Sequence, residues 1–340
     1  MKLKTAYSFD DVLLVPKISN IETRKEIDLS TSLGNSVNLR IPIVSSPMDT
    51  ITEKSMAIAL SRAGGLGIIH RYNSIEDQSA LISTSWKSLP GPGFGGAIGV
   101  SGNYLERARA LISAGVNVIC IDIAHGHHTM MRYALQTLRR TFGTKIHIMA
   151  GNVATLDGFN DLSDWGADSV RVGIGGGSIC STRIQTGHGV PTLQSIIDCS
   201  KSDRDTSLIA DGGIRNSGDI VKALAAGADA VMLGSMLSGT NEAPGEEIYV
   251  NGERYKAYRG MASKDAQIDW KGHFSSVEGV SSTVPAKGPV MCVIEDIERG
   301  VRSGLSYSGA TSIRDLQSSA AFILQTSAGS AESSTHIGKI

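Results

Sequence analysis

Paired cysteines are missing from this sequence. Its four cysteines, Cys120, Cys180, Cys199 and Cys292, form no Cys-x-x-Cys pair, which argues against a zinc ribbon or a thioredoxin-type motif. Long apolar runs are missing too. No stretch approaches the roughly 18 uninterrupted apolar residues of a membrane span, and Met1 to Asp11 has no apolar signal core. Charge is sparse, with 19% Asp, Glu, Lys and Arg and a net of −1, so neither a disordered chain nor a nucleic-acid or anionic-membrane partner is favoured. A reducing, cytoplasmic setting fits these absences.

What is plentiful is glycine, 39 of 340 residues, alongside 41% apolar residues, enough for a large core. Eight short apolar runs recur along the chain: Ile41 to Ser45, Gly65 to Ile69, Gly96 to Val100, Val116 to Ile121, Lys145 to Ala150, Asp168 to Val172, Ser207 to Ala210, and Asp229 to Leu233. Each reads as a strand buried on both faces. Amphipathic stretches separate them, clearest at Glu53 to Arg62, Tyr104 to Ser113, His128 to Arg140, Thr192 to Cys199 and Ser217 to Ala226. Eight strands with intervening helices predict a (β/α)₈ TIM barrel in preference to an open doubly wound sheet. One catalytic domain is expected over residues 1–327. It includes a hairpin and flap at 236–287 over the C-terminal face, with Asn251-Gly252 as the hairpin turn. A closing helix is expected near Val290 to Ser303, and the small, polar residues 328–340 read as a disordered tail.

Barrel chemistry sits where strands end. There the sequence places Ser45-Ser46-Pro47-Met48-Asp49, His70-Arg71, Asp122 to Gly126, Gly151-Asn152, Gly173 to Cys180, Asp211-Gly212-Gly213 and Gly234-Ser235. The run Gly173 to Cys180 is not Gly-x-Gly-x-x-Gly, because Ser178 stands where the third glycine would fall, so a dinucleotide fingerprint is weak. Its backbone would suit an anion through N–H groups or a monovalent cation through carbonyls. A cysteine taken at random is more often a small buried apolar residue, the reading for Cys120 and Cys199. Cys180 differs by ending a flexible loop at the functional face, as a nucleophile would. The Asp211-Gly212-Gly213 and Gly234-Ser235 turns, after strands seven and eight, read as phosphate seats, with Asp211 also suited to a ribose diol. His125, His127 and His128 lack the further ligands of a metal site, and His125 is expected to line a substrate or cofactor pocket. Glu278 becomes a proton-transfer candidate if the flap folds over the site.

With these residues in view, the chain resembles the IMP dehydrogenase/GMP reductase family over about residues 5 to 325. The matching motifs are Phe9-Asp10-Asp11-Val12-Leu13-Leu14, Ser45 to Thr50, Gly67-Ile68-Ile69-His70, Gly173 to Cys180, Asp211-Gly212-Gly213-Ile214, Tyr258-Arg259-Gly260-Met261 and Arg302-Ser303-Gly304. The resemblance implies a homotetrameric barrel in which Cys180 bonds covalently to purine C2 and hydride is exchanged with a nicotinamide cofactor. It implies that Ser178, Asp211, Gly212, Gly213, Gly234 and Ser235 hold phosphate and ribose. Gly260, Met261, Glu278 and Gly279 would surround the base, and Asp122, Ala124 and His125 would face the nicotinamide nucleotide. Arg71, near a strand end, would be the residue to meet a 2′-phosphate. Carbonyls of Gly175, Gly177 and Cys180 would hold potassium in members that need it.

Within the family, dehydrogenases usually carry a regulatory module after the second strand, and Asn73 to Gly96 leaves no room for it. Their long flap bears an Arg-Tyr pair that activates water, whereas Ser263 to Val277 contains no arginine. The stretch Cys180-Ser181-Thr182-Arg183 with Thr186 to Pro191 is similar to the reductase, which makes IMP and ammonia from GMP with NADPH. Thr182 and Glu278 would then act in deamination. Ser45 to Glu53 is closer to the dehydrogenase. A compact IMP dehydrogenase using NAD, and a non-catalytic purine-nucleotide-binding protein, are the competing readings.

Overall fold

Short runs of small and β-branched residues are buried on both faces, and each of the eight enters one closed barrel. The computed structural model describes residues 3–34, 36–83 and 91–333. The barrel strands are β1 (Ile43–Ser45), β2 (Leu66–Ile69), β3 (Phe94–Ile98), β4 (Val118–Asp122), β5 (His147–Val153), β6 (Ser169–Val172), β7 (Ser207–Asp211) and β8 (Ala230–Leu233). Neighbours pair in parallel in chain order, and β8 closes onto β1. A helix follows every strand, so the (β/α)₈ expectation holds. Two helices, Ile75–Ser83 and Leu156–Asp164, join the five that the periodicity marked most clearly.

Alternation along the strands makes two cores. Val44, Ile68, Ala97, Cys120, Met149, Ile209 and Met232 fill the barrel's interior. A larger apolar layer lies between strands and helices and includes Leu60, Leu135, Phe159 and Cys199. Cys120 and Cys199 are thus core residues, and burial pushes both thiols up to about 12. The N-terminal mouth is stoppered by an antiparallel hairpin, Thr31–Leu33 with Val37–Leu39, whose Leu33, Val37 and Leu39 join the inner core.

After β8 the chain builds a three-stranded antiparallel sheet from β9 (Glu247–Val250), β10 (Glu253–Arg259) and β11 (Ser281–Pro285). Asn251 and Gly252, at φ 51° and 84°, make the expected turn between its first two strands. The helix Val290–Tyr307 completes the outer ring. The tail needs correcting in part. Ser327–Glu332 is helical, with the Thr326 hydroxyl accepting the Gly329 N–H as its cap, which gives a polar segment enough local hydrogen bonding to order it. The rest of the expected tail, 334–340, lies outside the described residues, as does 84–90 of the interval after β2. Among the described residues, no helix is long and apolar enough to cross a membrane.

Candidate active site

The loop leaving β6 owes its path to missing side chains. Gly173 has φ 147°, and a Cβ there would lie 1.9 Å from the Asp211 carbonyl oxygen, so no other residue fits. Four residues on, a turn closed by the Cys180 N–H donating to the Gly177 carbonyl at 3.1 Å presents the thiol at the mouth of the barrel.

The flap reaches this loop as an added strand. Ser181 N–H donates to the Glu278 carbonyl at 2.9 Å, and Val280 N–H donates to the Ile179 carbonyl at 3.0 Å, so Cys180 pairs antiparallel with Gly279. Gly260 N–H donates in turn to the Val280 carbonyl at 3.1 Å, which draws the Gly260-Met261 turn into the same small sheet. This pairing brings Glu278 within reach of Thr182 and, through it, of the Cys180 thiol. The Cys180 thiol donates to Thr182 Oγ1 at 3.1 Å, and that hydroxyl donates to Glu278 Oε2 at 2.9 Å. The Ser276 hydroxyl supports the other carboxylate oxygen at 3.3 Å.

Beneath the thiol, Arg171 projects from β6 into the barrel. Its Nη1 donates to Asp122 Oδ1 at 2.7 Å, while Nε and Nη2 donate to Asp211 Oδ2 at 3.1 and 2.9 Å. Asn152 Nδ2 adds a fourth donor, to the same Asp211 oxygen at 2.8 Å. Burial disfavours the Arg171 cation, but Cys120, Asp122 and Asp211 around it outweigh that and hold it firmly protonated. On the opposite wall, the Tyr258 and Ser178 hydroxyls lie 3.2 Å apart, and burial raises the Tyr258 phenol.

Ion pairs and rings tie the flap down. Arg259 donates to Asp49 in the loop after β1, at 3.0 Å from Nε and 2.6 Å from Nη2, and to Asp269 on the flap helix Lys264–Lys271. Trp270 of that helix meets Tyr72 edge to face at 6.1 Å, and the Arg71 guanidinium stacks on the Tyr72 ring at 4.9 Å.

These groups enclose one cavity of about 280 Å³. Cys180, Thr182 and Glu278 line it. So do Ser178, Asp211, Gly212, Gly213, Gly234, Ser235, Gly260, Met261 and Gly279, and also Arg71, Asp122, Ala124, Gly175 and Gly177. His125 does not: it is exposed, and its neighbours are His127 and His128. His127 bonds Asp161 at 2.7 Å, and His128 caps the helix Thr129–Phe142. Among the described residues no cluster of His, Cys, Asp and Glu suits a metal ion. Arg171 and Tyr72 escape a reading of the sequence, and Asn152 and Tyr258 enter it only as parts of motifs. An arginine inside an apolar run is a usable signal, since a strand buried on both faces can hold one only against acidic partners.

The IMP dehydrogenase / GMP reductase domain matches residues 6–336. The chain belongs to this family. Among its relatives, the inosine-5′-monophosphate dehydrogenase of Nitrosopumilus maritimus is 35% identical, with 99% of each chain covered. The GMP reductase of Leishmania major is 32% identical over 98% of this chain and 97% of its own. A crystal structure of a Trypanosoma brucei GMP reductase variant in complex with guanosine 5′-monophosphate superposes with a TM-score of 0.93 at 31% identity, covering 99% of both chains. Family members are oxidoreductases acting on purine nucleotides with nicotinamide cofactors. Chain length does not sort their activities. The Leishmania reductase aligns over 478 residues, whereas an inosine-5′-monophosphate dehydrogenase from Cryptosporidium parvum, 38% identical, aligns over 382. The missing room for a regulatory module therefore carries no weight between the two reactions.

Proposed function

We propose that this chain is an NADPH-dependent GMP reductase, forming IMP and ammonia from GMP. The observation that carries the reading is the continuous chain from the Cys180 thiol through Thr182 to Glu278, 3.1 and 2.9 Å long, inside the cavity. The thiol proton passes through the Thr182 hydroxyl to the Glu278 carboxylate, and the thiolate attacks C2 of the purine. Glu278 returns that proton, again through Thr182, to the departing amine. Ammonia leaves, and C2 stays bonded to sulfur. Cys180 departs as thiolate once C2 has taken a hydride, which a nicotinamide held by Asp122, Ala124 and Arg71 would supply.

Asp211, Gly213 and Ser235, with the Ser178–Tyr258 hydroxyl pair, suit the ribose and phosphate. Asp122, Ala124 and Arg71 suit the nicotinamide nucleotide. The fit there rests on Arg71 Nε, which is buried and has no hydrogen-bond partner. Neutral carbonyl oxygens are the right donors for potassium, and Gly175, Gly177 and Cys180 would offer three.

The dehydrogenase reading has the Cryptosporidium relative in its favour, but it needs a base for water. Lys264 lies over the Phe274 ring at 4.9 Å, and His273 is exposed and bonded to the Lys271 carbonyl; neither lines the cavity, nor does Lys271. Nicotinamide absorbance decides between them. NADPH oxidation with GMP is expected, and Glu278→Gln should lower its kcat by about 10²-fold or more. NAD⁺ reduction with IMP and no NADPH oxidation with GMP would overturn the proposal.

A further inference from the structure

We infer that Arg171 is a positioning residue that sets the acceptors for two ribosyl diols at once, one on each nucleotide. This rests on the reading that Asp211 faces the purine nucleotide and Asp122 the nicotinamide nucleotide. The inference itself comes from how the two carboxylates share their oxygens. Asp211 Oδ2 is saturated by Arg171 Nε and Nη2 and by Asn152 Nδ2, at 2.8 to 3.1 Å. Asp122 Oδ1 is taken by Arg171 Nη1 at 2.7 Å. Among the described residues, Asp211 Oδ1 and Asp122 Oδ2 have no hydrogen-bond donor, and Arg71 Nε stays 4.0 Å from Asp122 Oδ2. Each carboxylate thus commits one oxygen to Arg171 and keeps the other for a hydroxyl donor. Both line the cavity. A vicinal diol is the complement of such an oxygen.

The fork of Arg171 makes this possible. A planar guanidinium points N–H groups in two directions, and an ammonium cannot hold two carboxylates in fixed relative orientation. The neighbouring strand makes room for it. Gly151 lies beside Arg171 in register, and a Cβ at Gly151 would sit 2.6 Å from the Arg171 Cβ. Cys120 Sγ, 3.5 Å from Nη1, fills the remaining side. Arg171 reaches the cavity wall with a side chain only 7% exposed, and its proposed action on both nucleotides runs through the two aspartates that it holds.

The test compares Arg171→Lys, Asp122→Asn, Asp211→Asn and the double variant Arg171→Lys/Asp122→Asn. Calorimetry gives the Kd of GMP without cofactor, and steady-state kinetics give the KM for NADPH. Arg171→Lys should weaken GMP and raise the NADPH KM, each by about tenfold, with kcat changing far less. Asp122→Asn should move the NADPH KM alone, and Asp211→Asn the GMP Kd. In the Asp122→Asn background, Arg171→Lys should add nothing to the NADPH KM yet still weaken GMP, a non-additivity that a general structural role would not give. A shift in one ligand alone, effects of Arg171→Lys and Asp122→Asn that multiply, or a lower Tm with both affinities intact would overturn the inference. If Arg171→Lys does not fold, Gly151→Ala carries the test by displacing the guanidinium without changing charge, and the same joint shift is required. If the wild type binds IMP and NAD⁺ productively instead, the reductase reading fails, and the same series with those ligands decides the role of Arg171.

Discussion

At the N-terminal mouth of the barrel, His147 lies buried with Nε2 2.7 Å from the Ser169 hydroxyl and Nδ1 3.3 Å from that of Ser36. At the C-terminal mouth, Arg171 lies buried between Asp122 and Asp211. Both mouths take ionisable groups out of water, but they finish them differently. Below, Asp168 accepts from Arg139 and from the Ile148 N–H, both at 2.7 Å, and Asp229 accepts the Leu208 N–H at 2.7 Å, while the hairpin Thr31–Leu33/Val37–Leu39 shuts out solvent. Above, among the described residues, Asp211 Oδ1, Asp122 Oδ2 and Arg71 Nε make no hydrogen bond, and all three residues line the cavity. One scaffold thus has one end shut by a hairpin and the other open to a cavity, and the chemistry-bearing residues gather at the open end.

That contrast is broken most directly by Cys180→Ala. Activity should fall at least about a thousand-fold while Tm stays within about 2 °C, measured by nicotinamide absorbance and by thermal melting. A large loss of stability would show that the upper mouth also holds the fold together.

The lower mouth is probed by pH. Burial depresses His147 from 6.5 to about 4, so its contribution to stability is full above 6.5 and is lost as pH falls toward 4. Burial raises Asp229 from 3.8 to about 6, so its contribution is full below 3.8 and is lost as pH rises through 6. The two oppose each other between pH 4 and 6. Asp229→Asn keeps an acceptor for Leu208 and removes the buried charge. It should stabilise the fold at pH 7 by about 2 kcal/mol and leave a steeper loss on acidification, both read from urea melts across that range. Unaltered melts would place Asp229 outside this balance.

The mildest probe is Gly34→Ala in the stoppering hairpin. Gly34 sits at φ 52°, and an added Cβ would come 3.3 Å from that of Asp168. Stability should drop by about 1 kcal/mol with kcat and KM unchanged. A kinetic effect would mean that the two mouths communicate.

The eight strands were legible because runs buried on both faces need no partner to be recognised. The hairpin Thr31–Leu33/Val37–Leu39 was not, since three-residue strands alternate too briefly to mark a face. Cys180, Thr182 and Glu278 carried motif signals, but their contact depends on a flap 96 residues away, which spacing alone does not place. Arg171 stayed hidden because its partners lie 49 and 40 residues from it in the chain. His125 misled by adjacency: a strand-end histidine beside Asp122 need not turn inward.

The pairing of Cys180 with Gly279 has one more consequence. Two main-chain hydrogen bonds flank the pair, from Ser181 N–H to the Glu278 carbonyl and from Val280 N–H to the Ile179 carbonyl, so the backbone of the acid is fixed to the residue beside the cysteine. A slip of one residue along the loop would move the Glu278 carbonyl off the Ser181 N–H and displace its carboxylate from the Thr182 hydroxyl, now 2.9 Å away. Between Met261 and Glu278 the flap is held separately, by Asp269 to Arg259 and by Trp270 against Tyr72. The acid is placed by counting from the cysteine across the sheet, and not by counting along the chain.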